Sequence, residues 1–128
     1  MIYLDSCLVI YLVEQHPRWG TTVAQAVDTD DIDFAVSALV KCECLVGPLR
    51  SGSAILQRDY RRLFDGLTLL DMPESVFLRA AELRARSRIK LPDALHLACA
   101  EHHRCDELWT NDDRLTRASL GLARNILA

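Results

Sequence analysis

Residues 91–98 read L-P-D-A-L-H-L-A. An acid at the head of an otherwise apolar helical stretch decides how the chain is read. Pro92 suits the first turn of a helix, where its missing N–H is not needed. Leu91, Ala94, Leu95, Ala98 and Cys99 follow the i, i+3, i+4, i+7, i+8 spacing of a buried stripe. The stripe predicts a helix from Pro92 to about His103 packed on a sheet. The macrodipole favours Asp93 in the first turn by ~0.3–1 kcal/mol, which is its ordinary explanation. Its functional explanation requires other acids placed to meet it.

Working outward, short apolar runs alternate with helical ones. Residues 1–4, 34–36, 67–70, 107–110 and 124–127 read as strands. Ser6 is expected to cap a helix running to about Glu14, broken at His16-Pro17. A helix over about 19–28 follows. Ser37 precedes one from Ala38 to about Val46, with Gly47-Pro48 as its stop. Further helices are expected from Ser53 to about Phe64, from Pro73 to about Arg86 and from Asp112 to Ala118. No Asn-Gly turn favours hairpins. This order implies an α/β fold, a three-layer sandwich with a central parallel sheet flanked by helices. At 128 residues the chain is expected to form one domain, residues 1–128.

Composition narrows the function. Half the residues are hydrophobic, enough for a real core, and no apolar run reaches the ~18 residues of a membrane span. The five cysteines are odd in number and lie in or beside apolar stretches, so they read as reduced thiols of a cytoplasmic protein. A zinc site from Cys99, His102, His103 and Cys105 is disfavoured, because the four are crowded together with no C-x-x-C pair. The net charge of −3 does not advertise a nucleic-acid binder, but its distribution is uneven. Residues 1–48 carry seven acids against two bases; the remainder carries eleven acids against thirteen bases, twelve of them arginine. Arginine suits bidentate contact with phosphate.

In open parallel sheets, ligands gather beyond the carboxyl ends of the strands. Asp5 and Asp112 fall there, Asp93 can face the same edge, and Glu43 lies about two turns into the helix after Ser37. Each alone has a structural explanation. Together, four carboxylates on one edge repel unless a cation intervenes. All-oxygen ligands select a hard ion, Mg2+ or Mn2+, which can assist phosphoryl transfer to water.

Four motifs carry a family resemblance: M-I-Y-L-D-S, with Asp5; S-A-L-V-K-C-E-C-L, with Glu43; L-P-D-A-L-H-L-A, with Asp93; and L-W-T-N-D, with Thr110 and Asp112. With these the chain resembles a PIN-domain ribonuclease, most closely a VapC-type toxin of a toxin–antitoxin pair. The resemblance implies a PIN fold and a metal-dependent endoribonuclease. It implies a metal and catalytic site of Asp5, Glu43, Asp93 and Asp112, braced by the hydroxyls of Ser6 and Thr110. It also implies an RNA substrate, a small antitoxin and a homodimer. The rival expectation is a catalytically weak PIN-fold binding module acting through an antitoxin or nucleic acid. Cys7 departs from the family, in which a small polar residue is common at that position. Asp113 leaves the register of the fourth motif open, with the T-x-D spacing favouring Asp112. His96, one turn after Asp93 and on the same face, is expected to be a satisfied structural histidine, the alternative being a contact to phosphate or a support of the acid site. The stretch R-A-R-S-R-I-K, with Arg84, Arg86, Arg88 and Lys90, is the expected RNA contact. Arg58, Arg61 and Arg62, and Arg114 and Arg117, are further basic clusters.

Overall fold

Strand β1 (Ile2–Leu4) is wholly buried, as expected of a parallel strand covered on both faces. The computed structural model describes residues 1–128. After β1 come α1 (Ser6–Val13), α2 (Gly20–Val27), β2 (Phe34–Ser37), α3 (Ala38–Ser51), α4 (Ala54–Asp65) and β3 (Thr68–Leu70). They are followed by α5 (Glu74–Arg86), α6 (Leu91–His102), β4 (Glu107–Thr110), α7 (Asp113–Ala118) and β5 (Ala123–Asn125). The five strands form one parallel sheet in the order β3-β2-β1-β4-β5. The chain runs from β1 outward to β3, then crosses to β4 on the other side of β1. The order therefore reverses between β1 and β4, the place where such sheets open a ligand crevice.

Two groups of helices flank the sheet: α1 to α4 pack on one another, and α5 packs on α6. The core joins Tyr3, Leu4 and Leu108 of the sheet to Leu8, Val40, Tyr60 and Leu97 of the helices. Both edge strands are three residues long, which limits unpaired backbone.

Three local expectations are corrected. Helix α3 does not stop at Gly47-Pro48 but continues to Ser51. Pro48 is buried, and its carbonyl accepts from Ser53 N, Ser51 Oγ and Gln57 Nε2, so the turn is held despite the missing N–H. The stop falls instead at Gly52, whose φ of +69° makes the left-handed turn that glycine tolerates. The apolar stripe of α6 also differs. Leu91 is 49% exposed, while every residue from Ala94 to Ala100 is buried. The helix is thus enclosed on all sides from Ala94 to Ala100. Finally, Asp5 rather than Ser6 is the N-cap of α1, its carboxylate accepting from Ser6 N.

Candidate active site

Asp5 continues the β1–β4 ladder by one bond, its N–H donating to Trp109 O at 3.0 Å. That bond places its carboxyl at the sheet's carboxyl edge, where it is 6% exposed. Thr110 Oγ1 donates to Asp5 Oδ2 at 2.7 Å, and Ser6 N to Oδ1 at 2.8 Å, with Ser6 Oγ at 3.5 Å. Thr110 Oγ1 also accepts from Asp112 N at 3.1 Å, so one hydroxyl ties the acid after β1 to the turn after β4.

Glu43 comes from α3 and Asp93 from the first turn of α6, which brings them over this edge. With Asp112 they line a cleft of about 420 Å³ whose other walls include Arg88, Lys90 and Arg114. Asp5 lies deeper and is not part of its lining. The two acids at 112–113 have different surroundings, and only Asp112 lines the cleft. Asp112 Oδ1 accepts from Arg114 N at 2.8 Å and caps α7, whereas Asp113 is held on Asn125 Nδ2 at 2.9 Å, toward β5.

His96 is the residue whose partners the sequence did not name, although its place on the face of Asp93 allowed for support of the acid site. It is a satisfied buried histidine, yet its partners belong to the acid site. Nε2 stands 2.5 Å from Glu43 Oε1 and 3.7 Å from Asp5 Oδ1. Nδ1 meets Tyr3 Oη at 2.6 Å, and Tyr3 Oη meets Ser37 Oγ at 2.7 Å. Asp5, Glu43 and His96 form a trio whose ligand atoms lie within 4.8 Å of one another; Asp93 and Asp112 lie outside it. Two orders of donation satisfy His96: Tyr3 donates to Nδ1 of a neutral ring, or Nδ1–H of a protonated ring donates to Tyr3, which then donates to Ser37; Nε2–H donates to Glu43 in both. The only local signal was its place one turn after Asp93.

The acids respond differently. Burial raises the Asp93 pKa, the charges of Asp5, Asp112 and Glu43 add to the rise, and His96 opposes it. Burial would also raise Glu43, but the hydrogen bond and charge of His96, with help from Ser6, bring its pKa below the ordinary value. The donor set fits a hard divalent cation: several carboxylates from separate elements, one of them destabilised as an anion by its neighbours. Cys7, beside Asp5, has its thiol pushed up by burial and then by that carboxylate, so it stays protonated.

The basic stretch divides. Helix α5 ends at Arg86, so Arg84 and Arg88 do not share its face. Arg84 Nε donates to Ile89 O at 3.3 Å and Arg86 approaches Glu82 at 3.7 Å, while Arg88 and Lys90 line the cleft. Arg114 joins them there from α7.

A family description for the PIN domain matches residues 2–120. A toxin–antitoxin complex from Klebsiella pneumoniae superposes with a TM-score of 0.82 at 22% identity, covering 98% of both chains. VapBC2 from Rickettsia felis, bound to a DNA fragment from their promoter, gives 0.79 at 21% identity over 98% of both. VapC20 of Mycobacterium tuberculosis, described as a sarcin-ricin loop cleaving toxin, gives 0.78 at 15% identity, covering 92% of this chain and 95% of that one. At these identities the likeness bears on fold. No curated protein matches the sequence.

Proposed function

Because the chain belongs to the PIN-domain family, we propose that it is a metal-dependent endoribonuclease, the toxin of a VapBC-like pair. The observation that carries this is the cleft in which carboxylates from three elements face Arg88, Lys90 and Arg114. Carboxylates suit a metal, and the cations suit the phosphates of a substrate. Asp5, Glu43, Asp93 and Asp112 would hold Mg2+ or Mn2+. When bound, the ion supplies charge neutralisation at the phosphodiester and a more acidic water.

The chain's own groups then have distinct tasks. Arg88, Lys90 and Arg114 hold the phosphate against the acid edge. Thr110 and Ser6 keep the Asp5 carboxylate in one orientation through hydrogen bonds. His96 does the same for Glu43, and burial of Asp5 and His96 limits the water around them. Asp93 is the carboxylate in the cleft that holds a proton more readily.

A small antitoxin is the expected partner, in line with the toxin–antitoxin structures that share this fold. A homodimer and a cytoplasmic place of action belong to the same reading. No helix is long and apolar enough to cross a membrane. The test is cleavage of total cellular RNA by antitoxin-free protein, with Mg2+, Mn2+ or chelator, beside Asp93→Asn. Metal-dependent cuts absent from the variant are expected. A folded wild type that cuts nothing with either metal would leave the weak binding module as the better account.

A further inference from the structure

The acid cleft does not end at Arg88 and Arg114. Both also line a second cleft of about 580 Å³, walled by Ser87, Ile89, Arg117 and Ala118. It lies between the loop joining α5 to α6 and the helix α7. Arg114 and Arg117 are three residues apart on α7, the spacing that puts side chains on one face. Arg88, Arg114 and Arg117 are exposed and form no ion pair within the chain. Arg58, Arg79, Arg86 and Arg124 each have an acidic partner. Three unpaired guanidinium groups around one hollow repel one another and attract an anion. The walls contain no aromatic ring on which a base would stack, and Ile89 and Ala118 are the apolar surface.

We infer that this second cleft binds the backbone of the RNA strand flanking the cut, through Arg88, Arg114 and Arg117, without reading base identity. The inference rests on the nuclease reading and adds a direction to it. Arg88 and Arg114 serve both clefts, so a strand whose phosphate sits at the acids leaves along α7. That path offers unpaired guanidinium groups, whereas on α5 Arg84 and Arg86 each have a partner within the chain. Guanidinium groups meet successive phosphates in bidentate fashion. A volume of this size suits one or two nucleotides, within the roughly 300–1,000 Å³ common for ligand clefts.

Binding is measured in chelator by fluorescence anisotropy of a labelled single-stranded RNA oligonucleotide of mixed sequence, at several salt concentrations. Three proteins are compared: wild type, Arg117→Gln, and Arg62→Gln as an exposed arginine on α4 that lines neither cleft. Arg117→Gln is expected to weaken binding by about threefold or more. It is also expected to reduce the salt slope by roughly 0.7, the value of one lost phosphate contact on a single strand. Arg62→Gln should match wild type, and all three should melt together. If Arg117→Gln binds RNA like wild type, the inference is overturned. It is overturned equally if Arg117→Gln keeps RNA affinity but loses affinity for polyglutamate, which would assign the cleft to a protein's carboxylates. Cleavage of the same RNA with Mn2+ separates the two readings. Binding that depends on Arg117 without cleavage by wild type retains the RNA cleft and refutes the nuclease.

Discussion

Tyr3→Phe isolates the buried chain that supports His96. The phenol lies in the central strand at 0% exposure, with Ser37 Oγ at 2.7 Å and His96 Nδ1 at 2.6 Å. Burial pushes the Tyr3 pKa well up, so the hydroxyl is a neutral donor throughout the working range. Phenylalanine keeps the ring and its packing, and no large cavity opens. What is lost is the partner of two buried groups, on Ser37 at 0% and His96 at 1% exposure. A buried polar group left without a partner costs about 1–3 kcal/mol. Allowing for partial relaxation, the variant should lose roughly 2–4 kcal/mol. For a chain of this size about 3–4 °C accompanies each kcal/mol, so the melting midpoint should fall by ~6–16 °C. Ser37→Ala removes only one bond and should cost about 1 kcal/mol. The double variant should be less unstable than the sum, because the orphaned Ser37 hydroxyl is gone. Calorimetry or thermal circular dichroism measures all three. A Tyr3→Phe midpoint within about 2 °C of wild type would refute the idea that these hydrogen bonds hold His96.

Other perturbations probe other links. Thr110→Val keeps the shape of a fully buried residue but leaves Asp5 Oδ2 and Asp112 N without their shared partner; a loss of about 1–3 kcal/mol and weaker Mn2+ binding by calorimetry are expected. Gly52→Ala meets no steric neighbour, yet at φ +69° it should destabilise by about 1 kcal/mol in a denaturant titration. Burial pushes the Cys44 and Cys99 thiols up to about 12, so iodoacetamide at mildly alkaline pH should modify exposed Cys42 first, as read by peptide mass mapping. The raised Asp93 pKa contributes stability that is present below the ordinary carboxylate value and lost as pH rises through the raised one. A divalent ion should therefore add most stability near neutral pH, about 2.7 kcal/mol at a hundredfold excess over Kd, and less in acid, as read by denaturant titration.

Much of this architecture was legible locally. A strand, an acid and a helix cap announce themselves within a few residues, and Asp5, Asp112 and the start of α6 were placed that way. Less legible was what the chain does just beyond each motif. Arg84, expected as an RNA contact beside Arg88, turns its Nε back onto Ile89 O and closes the loop that follows α5. Leu91 fits the apolar stripe by spacing, yet the first turn of α6 projects to the cleft rim and leaves it half exposed. Gly47-Pro48 is a sound helix stop on local grounds. Three donors gathered on the Pro48 carbonyl, one of them from α4, outweigh it.

His96 carries the larger consequence, because it changes the electrostatics of the site itself. From the sequence, four acids on one edge imply mutual repulsion relieved by a metal. The fold inserts an imidazole among them, bonded to an acid 53 residues away in the chain. A periodicity argument finds a buried histidine in α6 but has no means of finding that partner. The acids are consequently unequal: Glu43 is held as an anion beside His96, while Asp93, pressed by burial and by Asp5 and Asp112, keeps its proton more readily. Environments that drive two carboxyl groups apart in this way separate fixed charge from proton handling. His96→Ala should therefore disturb Glu43 more than Asp93. Carboxyl-selective NMR titration of the variant should show the Glu43 pKa rising toward or beyond its ordinary value, and an unchanged Glu43 would mean that the imidazole is only packing.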